Sequence, residues 1–179
     1  RALDGAPWSQ PADIGNFYGH PGALGAGAAA LWAGGAWSGD ANLRDAGFDA
    51  ARSLGVTMAA VGTLKFTVRR TRPDGGAHSF PSRHVSVAFA IGTVLAESGD
   101  DRYRWARRFL GYGLAGATAY LRMDHNQHWA SDVAAGAALG LSTARFVMNR
   151  RQVSPDKTTF AIAPGDEGGV LLTFQMPLH

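Results

Sequence analysis

Residues able to handle an oxyanion are concentrated in three stretches of the chain. The first runs Lys65-Phe66-Thr67-Val68-Arg69-Arg70-Thr71-Arg72-Pro73. Lys65 and Arg72 are seven residues apart, so on a helix they point the same way, two turns separated. Two cations on one face, where the chain turns, can grip an anion, and Arg69 lies on nearly the same face. The second stretch, Ser79-Phe80-Pro81-Ser82-Arg83-His84, stands immediately before an apolar run over residues 85–96. Ser82 is placed to cap the helix that this run predicts, where free backbone N–H groups and the positive dipole end attract phosphate. His84 falls in the first turn of that helix. The third stretch is Arg122-Met123-Asp124-His125-Asn126-Gln127-His128-Trp129-Ala130-Ser131-Asp132. His128 and Asp132 are at i and i+4, side by side on a helix that begins near His128. An aspartate on one imidazole nitrogen fixes the tautomer and leaves the other nitrogen as a base or nucleophile. Arg122 adds a third cation.

Each stretch alone has a plainer reading: snorkelling surface cations, an ordinary cap beside a surface histidine, a helix-stabilising His–Asp pair. Together they hold two histidines, an aspartate, several cations and a helix N-terminus. Those are the parts that phosphoryl transfer needs: charge neutralisation, a nucleophile, and an acid for the departing oxygen.

Helical patterns positioning these residues are expected at about 21–35, 41–72, 84–98, 101–121 and 129–150. Pro73 ends the second of them, because the residue before a proline is pushed out of helical geometry, and Asp74-Gly75-Gly76 makes a turn. Ser98-Gly99 reads as a helix stop, and Asp100-Asp101 as a fresh N-cap. Alanine and glycine runs, such as residues 22–30, predict closely packed helices. Residues 1–19 are expected to wrap the surface. After Arg151 the pattern changes to two short β-leaning runs, 158–163 and 170–176, around a Pro-Gly-Asp-Glu-Gly-Gly turn, which reads as a β-hairpin. The expected fold class is all-α: a helical bundle over residues 1–150 with a small C-terminal hairpin over 151–179, in one domain.

The spacing of the three stretches resembles the type 2 phosphatidic acid phosphatase and vanadium haloperoxidase superfamily. Its first motif, Lys, six residues, Arg-Pro, is matched by Lys65, Arg72 and Pro73. Its second, Pro-Ser-Gly-His, is matched at Pro81, Ser82 and His84, with Arg83 in place of glycine. Its third, Ser-Arg, five residues, His, three residues, Asp, is matched at Arg122, His128 and Asp132, with Leu121 in place of serine. The resemblance implies that Lys65, Arg72, Ser82, the backbone N–H of Arg83 and Arg122 bind phosphate. It implies His128 as nucleophile, Asp132 as its orienting partner and His84 as general acid. The Arg83 side chain is expected to add charge or restrict the entrance. The expected activity is phosphate monoester hydrolysis through a phosphohistidine, without metal or other cofactor, in a site that vanadate or phosphate can occupy. Only seven residues, 74–80, separate the first two motifs. Such a short link resembles bacterial membrane-associated lipid phosphatases and implies a lipid phosphate or isoprenyl diphosphate. Vanadate-dependent halide oxidation on the same scaffold, and non-catalytic anion or nucleic-acid binding, are the competing functions.

Composition narrows these choices. Hydrophobic residues are 46% and charged residues 17% of the 179, a globular balance rather than a disordered one. A net charge of +3 is too small to argue for nucleic acid by bulk electrostatics. The Arg102, Arg104, Arg107, Arg108 group reads as a solvated helix start. The chain has no cysteine, so thiolate and disulfide chemistry are excluded. No apolar run reaches the roughly 18–20 residues of a membrane span, which predicts a soluble chain with, at most, membrane-surface association. The start at Arg1, without methionine or apolar leader, predicts a processed, periplasmic or otherwise extracytoplasmic protein.

Overall fold

Side-chain caps set the starts of the first two helices and of the 3-10 turn that precedes the fourth. In the computed structural model, which describes residues 20–152, 159–164 and 170–175, α1 spans Pro21–Ser38. Pro21 suits a first helical position, where an N–H has no partner to lose. The His20 imidazole caps the helix by accepting the Gly22 N–H at 3.2 Å, and Gly39 ends it at φ 75°. Asp40 then accepts from Asn42 and Leu43 at 2.9 and 3.2 Å and starts α2, Ala41–Val68. The third helix, α3, spans Arg83–Glu97. A 3-10 turn, Asp101–Tyr103, capped by Asp100, leads into α4, Arg104–Asp124. Last comes α5, Ala130–Gln152. The Ser98 stop and Asp100 cap expected from the sequence stand in these places.

Two compact units divide the chain, residues 1–147 and 148–179. In the second, β1 (Thr159–Pro164) pairs antiparallel with β2 (Val170–Gln175), in register from Thr159 opposite Gln175 to Pro164 opposite Val170. The expected surface wrap by residues 1–19 and the hairpin turn at 165–169 lie outside the described residues.

Within the first unit the helices meet through glycines. A Cβ on Gly35 would sit 2.2 Å from the Arg44 backbone nitrogen, and one on Gly47 2.3 Å from that of Trp32, so α1 and α2 lie backbone to backbone. Gly92 of α3 and Gly111 of α4 form a second such seam, each Cβ falling within 2.6 Å of the other residue's carbonyl oxygen. Gly140 brings α5 against the Ser86 carbonyl of α3. Helix α3 is therefore the central post. Val85, Val87, Ala88, Ala90, Val94 and Ala96 are all buried, consistent with an apolar run continuous enough to be covered on most sides. A buried 2.6 Å hydroxyl pair, Thr57 with Thr143, ties α2 to α5. The fold is all-α in its main body, as the sequence predicts. Among the described residues no helix is long and apolar enough to cross a membrane.

A cationic candidate active site at the start of α3

The C-terminal ends of α2 and α4 and the N-terminal ends of α3 and α5 carry the three sequence stretches. Helix α2 ends at Val68, four residues before the expected stop. Arg69 takes the left-handed conformation, φ 49°, and closes the helix with its N–H on the Lys65 carbonyl at 3.2 Å. Beyond it the loop folds on itself. Arg70 O accepts from Ser79 N, Arg72 N donates to Gly76 O, both at 2.7 Å, and Asp74 accepts the Gly76 N–H at 2.9 Å. This pairing pulls residues 70–72 off the helix, so Lys65 and Arg72 do not share a helical face. They nevertheless meet across one cavity. Arg69 does not join them: its Nε donates to its own helix, at Phe66 O, 3.0 Å away.

That cavity, of about 190 Å³, is lined by Lys65, Arg72, His78, Arg83, His84 and His128. Lys65 Nζ donates to the His78 carbonyl; His78 itself sits at φ 58°. Helix α3 begins one residue after Ser82, whose backbone is extended at φ −71° and ψ 108° as a cap requires. The expected capping bond is missing, however. The Ser82 hydroxyl bonds no first-turn N–H and is buried with no partner among the described residues, because the serine is anchored through its backbone instead: its N–H donates to Asp132 O at 3.0 Å. Arg72 Nε is likewise buried without a hydrogen bond. Buried polar groups are normally satisfied, and these two stand beside a cationic cavity. The Arg83 side chain stands in the cavity wall, so the residue that replaces the family glycine adds charge here.

Helix α5 begins at Ala130, two residues after His128, so the histidine precedes the helix and does not sit on it. Asp132, at the third helical position, reaches back to the Trp129 N–H at 3.0 Å, one arm of a capping box. Its carboxylate is fully buried and is a hub. Oδ1 pairs with Arg70 at 2.9 Å, and Oδ2 accepts from the Ser79 hydroxyl. The His128 Nδ1 faces Oδ2 at 3.7 Å and Ser79 Oγ at 3.5 Å. The carboxylate contact is longer than a hydrogen bond but close enough to orient the ring. With Nδ1 on this side, Nε2 is the nitrogen left for the cavity. Arg70 also donates to Ser131 Oγ at 2.7 Å and lies over the Trp129 ring, 5.5 Å from its centroid. Arg122, buried at the end of α4, donates to the Gln127 side chain.

The cations act strongly on one another and on the imidazoles. Burial, then Arg72 and Arg83, lower Lys65 to about 8. Burial, with Arg122, Arg83, His128 and His20 adding to it, lowers His84 to about 3. Burial, Lys65 and Arg72 lower His128 to about 4, against the opposing pull of Asp132 and Ser79. Arg122 is also lowered, by burial and then by Arg83 and Arg72. Both imidazoles are thus neutral at pH 7 in the protein's own field. An anion between them and the cations reverses the largest of these charge effects.

Sequence reasoning placed Lys65, Arg72, Ser82, Arg83, His84, Arg122, His128 and Asp132, and the structure brings all eight to this end of the bundle. It missed Ser79, Arg70 and Gln127. Ser79 carries no signal of its own in a Ser-Phe-Pro-Ser run, and Arg70 cannot be told from Arg69 and Arg72 by type. Among the described residues no three His, Asp or Glu side chains group as metal ligands do.

At the helix ends an oriented imidazole, a second imidazole and four cations come together, an arrangement suited to an oxyanion. Residues 74–155 match the model of the PAP2 superfamily, the family that the three motifs resemble. A lipid A 1-phosphatase of Porphyromonas gingivalis is 42% identical over 89 residues, 47% of this chain and 20% of that protein. The chain thus spans about a fifth of the length of that curated relative. Among solved structures, Aquifex aeolicus LpxE superposes with a TM-score of 0.58 at 21% identity, covering 76% of this chain and 86% of that one. At that identity the match speaks for the fold.

Proposed function

We propose that this chain is a metal-independent phosphatase that hydrolyses phosphate monoesters of lipid or isoprenyl type through a phosphohistidine, at an extracytoplasmic membrane surface. The observation that carries the reading is the two-sided setting of His128. Its Nδ1 faces the Asp132 hub while the ring lines a cavity shared with His84, Lys65, Arg72 and Arg83. In this mechanism Lys65, Arg72, Arg122, the Ser82 hydroxyl and the Arg83 N–H hold the phosphate oxygens. His128 Nε2 attacks phosphorus in line with the departing oxygen. The N–P bond forms, the P–O bond breaks, and the leaving alkoxide takes a proton from His84. Neutral His84 then takes a proton from water, whose oxygen attacks phosphorus; the N–P bond breaks and phosphate leaves.

The lowered His84 changes one part of the expectation from sequence, which has His84 protonated at the outset. In the protein's own field it is neutral, so its proton arrives with the substrate. A phosphate dianion beside four cations offsets the charges that hold His84 down and lifts its pKa while bound. A phosphomonoester monoanion brings the proton itself. The lipid A 1-phosphatase similarity supports a phosphorylated lipid as the substrate class. The test is phosphate release by the purified chain across lipid phosphates, isoprenyl diphosphates, nucleotides and sugar phosphates, with chelator present. Wild-type turnover of a lipid phosphate in chelator, lost in His128→Ala, is expected. Undiminished turnover in His128→Ala would sink the assignment.

A further inference from the structure

Resting on the phosphatase reading, we infer that the Arg83 side chain selects substrates whose leaving group carries a second anion close to the scissile phosphate. Arg83 is the first residue of α3 and lines the phosphate cavity together with His84. Ser82 before it is buried, whereas Arg83 is exposed, which puts its charge at the mouth of the cavity rather than on its floor. That charge is felt by Lys65, His84 and Arg122 and lowers all three. Arg44, Arg70, Arg104 and Arg108 each have a carboxylate oxygen within 3.3 Å; Arg83 has none among the described residues. A cation set among three others without a counter-charge disfavours the empty site and favours an anion beside it.

The reacting phosphate does not need this side chain. Besides the departing oxygen it presents three oxygens, and Lys65, Arg72, Arg122, the Ser82 hydroxyl and the first N–H groups of α3 supply donors for them. As a dianion it brings about two negative charges to four cations, Lys65, Arg72, Arg83 and Arg122. The Asp132 carboxylate behind His128 is already paired with Arg70, so positive charge is left over. The surplus stands where the leaving group goes. In-line attack by His128 expels the ester oxygen toward His84, and Arg83 is the neighbour of His84 on the first turn of α3. A guanidinium is a planar fork of N–H donors that takes a carboxylate or phosphate bidentately. The second group is therefore a carboxylate or a phosphate within a few bonds of the ester oxygen, and a neutral or cationic leaving group gains nothing from Arg83. The bonds made and broken remain those of the proposed mechanism; the side chain acts on the departing group alone.

Four small phosphates read this selection: phosphoethanolamine, ethyl phosphate, phosphoglycolate and methyl diphosphate. Their leaving groups are cationic, neutral, carboxylate-bearing and phosphate-bearing. The kcat/KM of each is measured for the wild type, Arg83→Gln and Arg83→Lys and taken as a ratio to ethyl phosphate, so that effects on the reacting phosphate itself cancel. Calorimetric affinities are measured in parallel. Arg83→Gln should lower the phosphoglycolate and methyl diphosphate ratios by about tenfold or more, the worth of one charge-assisted hydrogen-bonded pair. Arg83→Lys, which keeps the charge, should retain most of both. A loss confined to one of the two anionic substrates also supports the inference and identifies the second group as carboxylate or phosphate. Ratios that stay within twofold of wild type in Arg83→Gln, at an unchanged melting temperature, overturn it. Turnover with such flat ratios removes the role of Arg83 and leaves the phosphatase reading standing. Affinity that follows the second anion and depends on Arg83, without turnover, keeps the role and removes the phosphatase reading, so the two fail separately.

Discussion

The two sides of His128 are built on opposite principles. Behind the ring, Asp132 has every contact supplied by the protein: Arg70, the Ser79 hydroxyl and the Trp129 N–H. In front, Arg72 Nε is buried in the cavity wall with no hydrogen bond among the described residues, and charges of one sign crowd the cavity; the Ser82 hydroxyl, at the start of α3, is likewise without a partner there. A satisfied network fixes geometry, whereas unsatisfied groups cost stability unless a ligand completes them. The contrast separates a rigid mount from a receiving surface, and it says which substitutions should affect rate and which should affect binding.

The largest effect should come from the ring between the two sides. His128→Ala removes the proposed nucleophile and should bring turnover to background, with the fold intact by circular dichroism. His84→Ala should follow, at about 10²–10⁴-fold, the usual value of a general acid. That loss should shrink sharply with p-nitrophenyl phosphate, whose leaving group departs without a proton. An equal loss on both substrates would take His84 out of the acid role. On the mount, Asp132→Asn frees the tautomer and should cost up to about 10⁴-fold in kcat, by analogy with other carboxylate–imidazole pairs. Its effect on phosphate affinity should be small.

The receiving surface also makes a pH prediction. His84 and His128 are held at about 3 and about 4 in the folded protein, against about 6.5 when unfolded. Between those values the unfolded chain binds more protons, so stability is complete above about pH 6.5 and falls as pH drops through the window. Phosphate raises the folded values and should recover part of the loss. Thermal melts from pH 8 to pH 4.5, with and without phosphate, check this; a phosphate effect that vanishes at low pH would contradict it.

How far the sequence reaches depends on whether a feature is local. The cap at Asp100 and the stop at Ser98 are local, and the sequence displays them. The end of α2 is not. Pro73 restricts only its predecessor, but the chain leaves the helix at Arg69 because Ser79 and Gly76 pair with residues 70 and 72. Nothing in the residues 66–72 announces that pairing. The Ser82 cap misleads for a similar reason: its type is right, yet its backbone anchor comes from Asp132, fifty residues away in the chain. The eight motif residues were legible because their spacing survives any folding of the loops between them. Ser79 and Arg70 belong to the same mount and were not, because their roles exist only in three dimensions.

Arginines 69, 70 and 72 put the comparison to its finest test, since one short run sends three identical side chains to three places. Arg72 faces the cavity, so Arg72→Ala should mainly raise KM and weaken phosphate and vanadate binding. Arg70 sits behind the ring on Asp132, partly exposed; Arg70→Ala should lower kcat by roughly fivefold to tenfold, the worth of about 1 kcal/mol in a half-exposed ion pair, and leave KM nearly unchanged. Arg69 is turned back on Phe66 O, so Arg69→Ala should stay within twofold in both parameters. Steady-state kinetics on one phosphomonoester reads all three. The split between KM and kcat matters more than the sizes: if Arg70→Ala moved KM and Arg72→Ala moved kcat alone, the division between mount and receiving surface would be drawn in the wrong place.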